Sequence, residues 1–310
     1  MRSDHLALVA ALSALAVACS DASYTPPLVN APPDAGDAAT VDATPPKDAA
    51  AQETSAPFPG ICNPTAPWIK PKSAGVSPSN AFLGAITPDE LTIAWMEGTS
   101  LVWSDRKTAG DAWGPAQRVK IGAAASAHIA LSANGLKVIL VVASGRNFGQ
   151  VTRKDKGEDF STTVDSTPFT SFAFAMGEAP PAATLDDPLL AKDDLHFYFT
   201  LDVPNANATL RQSARAEATS PWTFGQPITQ PELAPTNGKL RHPTGISTDR
   251  LTLFYWDEAL AEERAAFRLG EDADFSIFVG LGARPDGKVD SACTHLYYTA
   301  NDDFAYVTRQ

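Results

Sequence analysis

The amino-acid sequence predicts an all-β fold, a β-propeller of five four-stranded blades closed by an N-terminal strand, with six blades as the alternative. Three observations carry this. A hairpin-like unit recurs through the C-terminal four-fifths of the chain at a period of about 45 to 60 residues, the range of propellers and solenoids. Each copy is followed by two more short apolar segments, making four strands per repeat. No amphipathic helical periodicity separates the copies.

The unit is clearest at Gly245-Ile246-Ser247-Thr248-Asp249-Arg250-Leu251-Thr252-Leu253-Phe254-Tyr255-Trp256. An apolar segment runs into a polar corner, and alternating Thr and large apolar residues leave it, as in two strands joined by a tight turn. Further copies begin at Ile86, Leu131 and Leu190, and a degenerate one lies around Cys293 to Tyr298. Third strands are read at Leu101–Ser104, Gln150–Arg153, Thr209–Gln212, Ala266–Arg268 and Ala305–Arg309. Fourth strands open on an aromatic at Trp113, Phe160, Trp222 and Phe275. The last copy stops after its third strand, and the unassigned segment Ala66-Pro67-Trp68-Ile69-Lys70 is expected to complete it, removing two exposed sheet edges.

Ahead of the repeats the chain changes character. Arg2 and an apolar run from Leu6 to Val17, too short to span a bilayer, predict a signal peptide over residues 1–18. The run ends in Ala16-Val17-Ala18-Cys19, which resembles a bacterial lipobox, with Ala16 where Leu is commonest. Cys19 is therefore expected to carry the lipid; a plain secretory signal is the alternative. Residues 19–60, rich in Ala, Pro, Asp and Thr, read as a disordered tether, and residues 61–310 as the propeller. After Cys19 only Cys62 and Cys293 remain, and in an oxidising compartment they are expected to form a disulfide, with two free thiols as the alternative.

The segments 186–199 and 241–254 resemble the WD40-like PD40 repeats of TolB-type propellers, which have a Pro, a Ser-Pro-Asp-Gly-like turn and a Leu-Tyr-Phe-like strand. The resemblance implies the fold and a cell-envelope location, at the outer membrane in view of Ser20 after the lipidated Cys. It implies protein or glycan contacts and no particular chemistry, because propellers host binding and catalysis alike.

Charge excludes one partner class. The formal net charge is -12 and no basic run extends beyond Arg153-Lys154-Asp155-Lys156, so nucleic acid is not expected. The membrane is reached through the lipid anchor only. No Gly-x-Ser-x-Gly, His-Glu-x-x-His or phosphate-binding loop appears, and no cofactor or metal is expected. Aligning the copies brings His128, Asp187, Arg241, His242 and Asp290 toward the mouth of the central channel as candidate ligand-binding residues. The function expected is a non-catalytic module binding an envelope protein, peptide or glycan. The alternative is a five-bladed glycoside hydrolase using Asp187 and Asp290, which requires the two carboxyls to be about 5 to 9.5 Å apart.

Overall fold

The computed structural model describes residues 62–63, 72–73, 84–122, 128–204, 209–228, 233, 241–282, 288–290, 292–300 and 303–308. The predicted signal peptide, Cys19, the tether and Ala66–Lys70 lie outside them.

Strand β1 is Lys72–Ser73. Blade one holds β2 (Ala85–Ile86), β3 (Thr92–Glu97), β4 (Ser100–Asp105) and β5 (Gln117–Lys120), and blade two holds β6 (Ile129–Leu131), β7 (Lys137–Val142) and β8 (Asn147–Thr152). Blade three holds β9 (Thr184–Leu190), β10 (His196–Asp202), β11 (Thr209–Ala214) and β12 (Gln226–Pro227). Blade four holds β13 (Arg241–Ile246), β14 (Thr252–Asp257), β15 (Glu262–Phe267) and β16 (Ile277–Gly282). Blade five holds β17 (Lys288–Val289), β18 (His295–Ala300) and β19 (Asp303–Thr308), with β1 as its outer strand. The five antiparallel sheets form a five-bladed β-propeller.

Closure by an N-terminal strand is as expected: among the described residues Lys72 and Ser73 pair with Tyr306 and Ala305, just C-terminal to the segment read from the sequence. The aromatic marks the approach to the outer strand, not the strand itself, since Trp113 stands four residues before Gln117 and Trp222 four before Gln226. Blade two is weaker than expected, its fourth strand reduced to one bridge between Gln150 and Asp165.

Each blade repeats one turn between its first two strands, beginning at Thr87, Ser132, Ala191, Ser247 and Asp290. The fourth turn residue donates its N–H to the carbonyl of the first: Glu90 to Thr87, Gly135 to Ser132, Asp194 to Ala191, Arg250 to Ser247, Cys293 to Asp290, at 2.8 to 3.0 Å. That fourth residue has positive φ in every blade, 57° at Glu90, 72° at Gly135, 57° at Asp194, 58° at Arg250 and 62° at Cys293. Only Gly135 adopts this conformation without steric cost, so the other four are held there by the turn bonds. The side-chain oxygen of the first residue accepts the N–H five residues on from Thr92, Lys137, Thr252 and His295. In blade three Ala191 has no such oxygen, and Asp193 takes the N–H groups of Leu195 and His196 instead.

Among the described residues a second device recurs in four blades. An arginine just past the third strand donates Nε to the carbonyl of that positive-φ residue: Arg106 to Glu90 (2.6 Å), Arg153 to Gly135, Arg215 to Asp194 and Arg268 to Arg250 (each 2.9 Å). Its guanidinium lies over the aromatic ring seven residues later, Trp113, Phe160, Trp222 and Phe275, at 4.2, 4.7, 4.2 and 4.9 Å. The arginine thereby ties the inner hairpin to the approach of the outer strand through a hydrogen bond and a cation–π contact.

The hydrophobic core is divided among the gaps between blades. Alternation along each second strand sends one set of side chains to each neighbour: Leu253 and Tyr255 pack toward blade three, Phe254 toward blade five. Trp95, Val102 and Tyr297 fill the gap where blade five meets blade one. Cys62 and Cys293 are bonded in the gap between blades four and five, Cα atoms 5.4 Å apart.

The expectation of no helix is corrected by α1 (Thr170–Glu178), preceded by a 3-10 turn at Thr167–Phe169 and inserted between blades two and three. Phe172 and Met176 bury against Phe148, Phe197 and Phe199. The guanidinium of Arg146 reaches the helix end, donating to the Met176 carbonyl in the last turn and to the carbonyls of Pro180 and Pro181 just beyond it. The segment Thr170-Ser171-Phe172-Ala173-Phe174-Ala175-Met176 is too short for its periodicity to stand out from a buried strand.

Candidate functional site

Counting back from the turns places the candidate residues at defined levels of the channel. His128 precedes the turn residue Ser132 by four positions, as Asp187 precedes Ala191; His242 and Asp186 precede theirs by five. These side chains therefore share one level at the mouth, contributed by three adjacent blades.

They meet there. His128 Nδ1 lies 2.7 Å from Asp187 Oδ1 and 3.2 Å from Asp186 Oδ1. His242 Nδ1 contacts the other oxygen of Asp187, and its Nε2 lies 3.2 Å from Glu258 Oε1. The two imidazole centroids are 6.5 Å apart with Asp187 between them. Asp187 is 2% exposed. It occupies a bulge of the β9–β10 ladder at φ 49°, so its carboxylate departs from the alternation of a regular strand.

Electrostatics follow from this packing. Burial alone would lower the pKa of His128, but hydrogen bonds to Asp186 and Asp187 outweigh it and raise it to about 10. His242, opposed by burial in the same way, is raised to about 9 by Asp187 and Glu258. Burial would raise Asp187, yet its two imidazole partners hold it far below the usual carboxylate range. Each of the three carboxylates has a histidine beside it.

Below the mouth the inner strands close in. Gly84–Ile86, Ile129–Leu131, Pro188–Leu190, Thr244, Lys288 and Val289 surround a cavity of about 50 Å³. The channel is thus narrow and lined largely by apolar side chains, with Thr244 and Lys288 among them, beneath a charged rim.

Asp290 does not join this group. It is the first turn residue of blade five, accepting the His295 N–H at 2.6 Å and the Thr294 hydroxyl at 3.0 Å, at the opposite end of the inner strands. Four strand positions separate that level from Asp187, about 13 Å along the axis at strand rise. Desolvation by burial raises the Asp290 pKa. Arg241 is the first residue of β13, opposite Asp257 in the ladder. Two residues of the cluster were not singled out from sequence. Asp186 is the neighbour of a candidate, and Glu258 follows β14 in an acidic stretch that reads as a solvated loop.

A second polar cluster marks the junction of blades five and one. Glu90 binds His295 Nδ1 at 2.6 Å, Arg106 at 3.1 Å and the Tyr297 hydroxyl at 2.8 Å. Lys137 and Asp194 meet at 2.6 Å in the equivalent place between blades two and three, which identifies this position as an inter-blade link.

Fold and mouth define a five-bladed propeller with a histidine–carboxylate rim over a narrow channel. The chain matches no protein-family profile and no curated protein sequence. Among solved structures it is similar to an α-L-arabinofuranosidase from Podospora anserina in complex with cellotriose, at TM-score 0.50 and 9% identity over 81% of this chain and 99% of that one. A gluconolactonase from Xanthomonas campestris matches at TM-score 0.45 and 11% identity, over 78% and 89%. TolB from Acinetobacter baumannii matches at TM-score 0.39 and 11% identity, over 79% and 55%. At these identities the likeness is one of fold.

Proposed function

We propose that the chain is an envelope lipoprotein: residues 1–18 are removed, Cys19 carries the lipid, residues 19–60 form a tether, and the propeller of residues 61–310 binds an envelope protein, peptide or glycan without chemical conversion. The outer membrane is the proposed location. One observation carries the choice of binding over hydrolysis: among the described residues the mouth carboxylates Asp186, Asp187 and Glu258 are each already in contact with an imidazole, above a constriction of about 50 Å³. A glycosidase needs two carboxyls facing each other across a sugar-sized space. Asp187 and Asp290, the pair the hydrolase reading requires, lie at opposite ends of the inner strands.

The test is capture from envelope extract by the full chain and by a mouth variant, His128→Glu with His242→Glu, against Asp89→Lys on the turn face as control. Loss of a captured partner with the mouth variant alone supports the reading. Equal capture by all three, or cleavage of arabinan oligosaccharides by the purified protein, defeats it. Palmitate incorporation that disappears in Cys19→Ala tests the anchor separately.

A further inference from the structure

We propose that the mouth cluster is a zinc site, with His128 Nδ1, His242 Nδ1, Asp186 and Asp187 as ligands and Glu258 as the outer partner that orients His242. The inference shares the mouth with the binding reading but does not depend on it.

The donor arrangement is the first argument. His128 presents one nitrogen to two carboxylate oxygens, Asp187 Oδ1 at 2.7 Å and Asp186 Oδ1 at 3.2 Å. A single Nδ1–H points along one line, whereas an ion bonds all three atoms together. Asp187 in turn offers its second oxygen to His242 Nδ1. The ligand atoms of His128, Asp186 and Asp187 all lie within 4.8 Å of one another. Tetrahedral zinc with bonds of about 2.0 to 2.1 Å separates its ligands by about 3.3 Å, so small adjustments admit the ion among these three. His242, outside that group on the far oxygen of Asp187, has to close in to complete the set.

The surroundings supply the second argument. Metal-binding histidines commonly donate their other ring N–H to a carboxylate, which fixes the ring and its tautomer. His242 does this: Nδ1 faces the cluster and Nε2 meets Glu258 Oε1 at 3.2 Å. Asp186 is oriented likewise, its Oδ1 accepting the Asp187 N–H at 2.9 Å. Two imidazoles with carboxylates select a first-row ion such as zinc over calcium or magnesium, which take oxygen ligands. The ion would fasten the inner strands of blades two, three and four at one level of the channel.

The test is titration of the chelator-treated full chain with Zn²⁺ by calorimetry, with cobalt as a spectroscopic substitute. One ion per chain is expected. Binding should weaken at least tenfold in His128→Gln and in His242→Gln, and about 10- to 100-fold in Glu258→Gln. His295→Gln, in the Glu90 cluster, should leave it unchanged. No stoichiometric binding, or binding lost in His295→Gln but kept in His128→Gln, overturns the proposal. Should the mouth variants fail to fold, the Co²⁺-loaded wild-type protein decides: intense visible bands of a four-coordinate ion support the site, and the weak bands of a six-coordinate ion refute it.

Discussion

Replacing Arg153 with Ala tests whether the repeated arginine holds its blade together. The Arg153 side chain is 0% exposed and Asp105, its partner across the blade boundary, 23%. It makes two parallel bonds to that carboxylate, at 2.7 and 2.8 Å, donates to the Gly135 carbonyl at 2.9 Å and lies 4.7 Å from the Phe160 centroid. Deleting one partner of a buried pair costs about 3 to 5 kcal/mol, because the other charge stays behind. Asp105 keeps partial contact with water and a 2.6 Å bond from Thr92, which places the cost near the lower end, about 3 kcal/mol. For a domain of this size that corresponds to a fall in Tm of about 6 to 12 °C. The assay is urea unfolding of wild type, Arg153→Ala, Asp105→Ala and the double variant. Costs that add to within about 0.5 kcal/mol, or a loss below about 1 kcal/mol for Arg153→Ala, would refute the assigned role.

The Glu90–His295 link predicts a stability plateau in pH. Burial would raise Glu90, but its bond from His295 and the charges around it lower it from 4.5, so its contribution is complete above pH 4.5 and is lost as pH falls through the lowered value. The bond to Glu90 raises His295 from 6.5, so its contribution is complete below pH 6.5 and is lost as pH rises through the raised value. His295→Gln should flatten the alkaline limb of a plot of urea midpoint against pH; an unchanged limb argues against the link. Asp290→Ser should be tolerated within about 0.5 kcal/mol, since Ser247 serves the same turn in blade four, whereas Asp290→Ala should cost about 1 kcal/mol by thermal melting. Reducing the Cys62–Cys293 bond, which spans a sequence separation of 231, should cost about 5 kcal/mol in the chain-entropy model; equal melting temperatures with and without reductant would contradict that.

The blade count and the ring closure were legible because the recurring corner has chemical requirements. Its first position is filled by Ser, Thr or Asp in four blades, and Asp or Asn two residues on folds back onto the backbone N–H of Leu91, Leu136, Leu195 and Leu251. Strand ends were less legible, because a two-residue outer strand such as Gln226–Pro227 has no alternation to detect. The mouth was legible in part. His128, Asp187 and His242 can be found by counting back from the corners. Asp290 was misplaced because its degenerate copy hid the fact that it is itself the corner residue. Glu258 comes from a loop with no repeat equivalent, and its contact with His242 depends on how two strands of blade four end.

The bond between Cys62 and Cys293 also determines how the domain responds to tension. Cys62 lies upstream of Lys72–Ser73, the two-residue strand that completes blade five. A pull arriving from the N-terminal side reaches Cys62 first and passes through sulfur into the inner hairpin of that blade. The short seam of Lys72 and Ser73 is bypassed, so the ring can take load from that side without unzipping at this two-pair ladder. Reduction would shift that load onto two residue pairs, and the fastening would become a release.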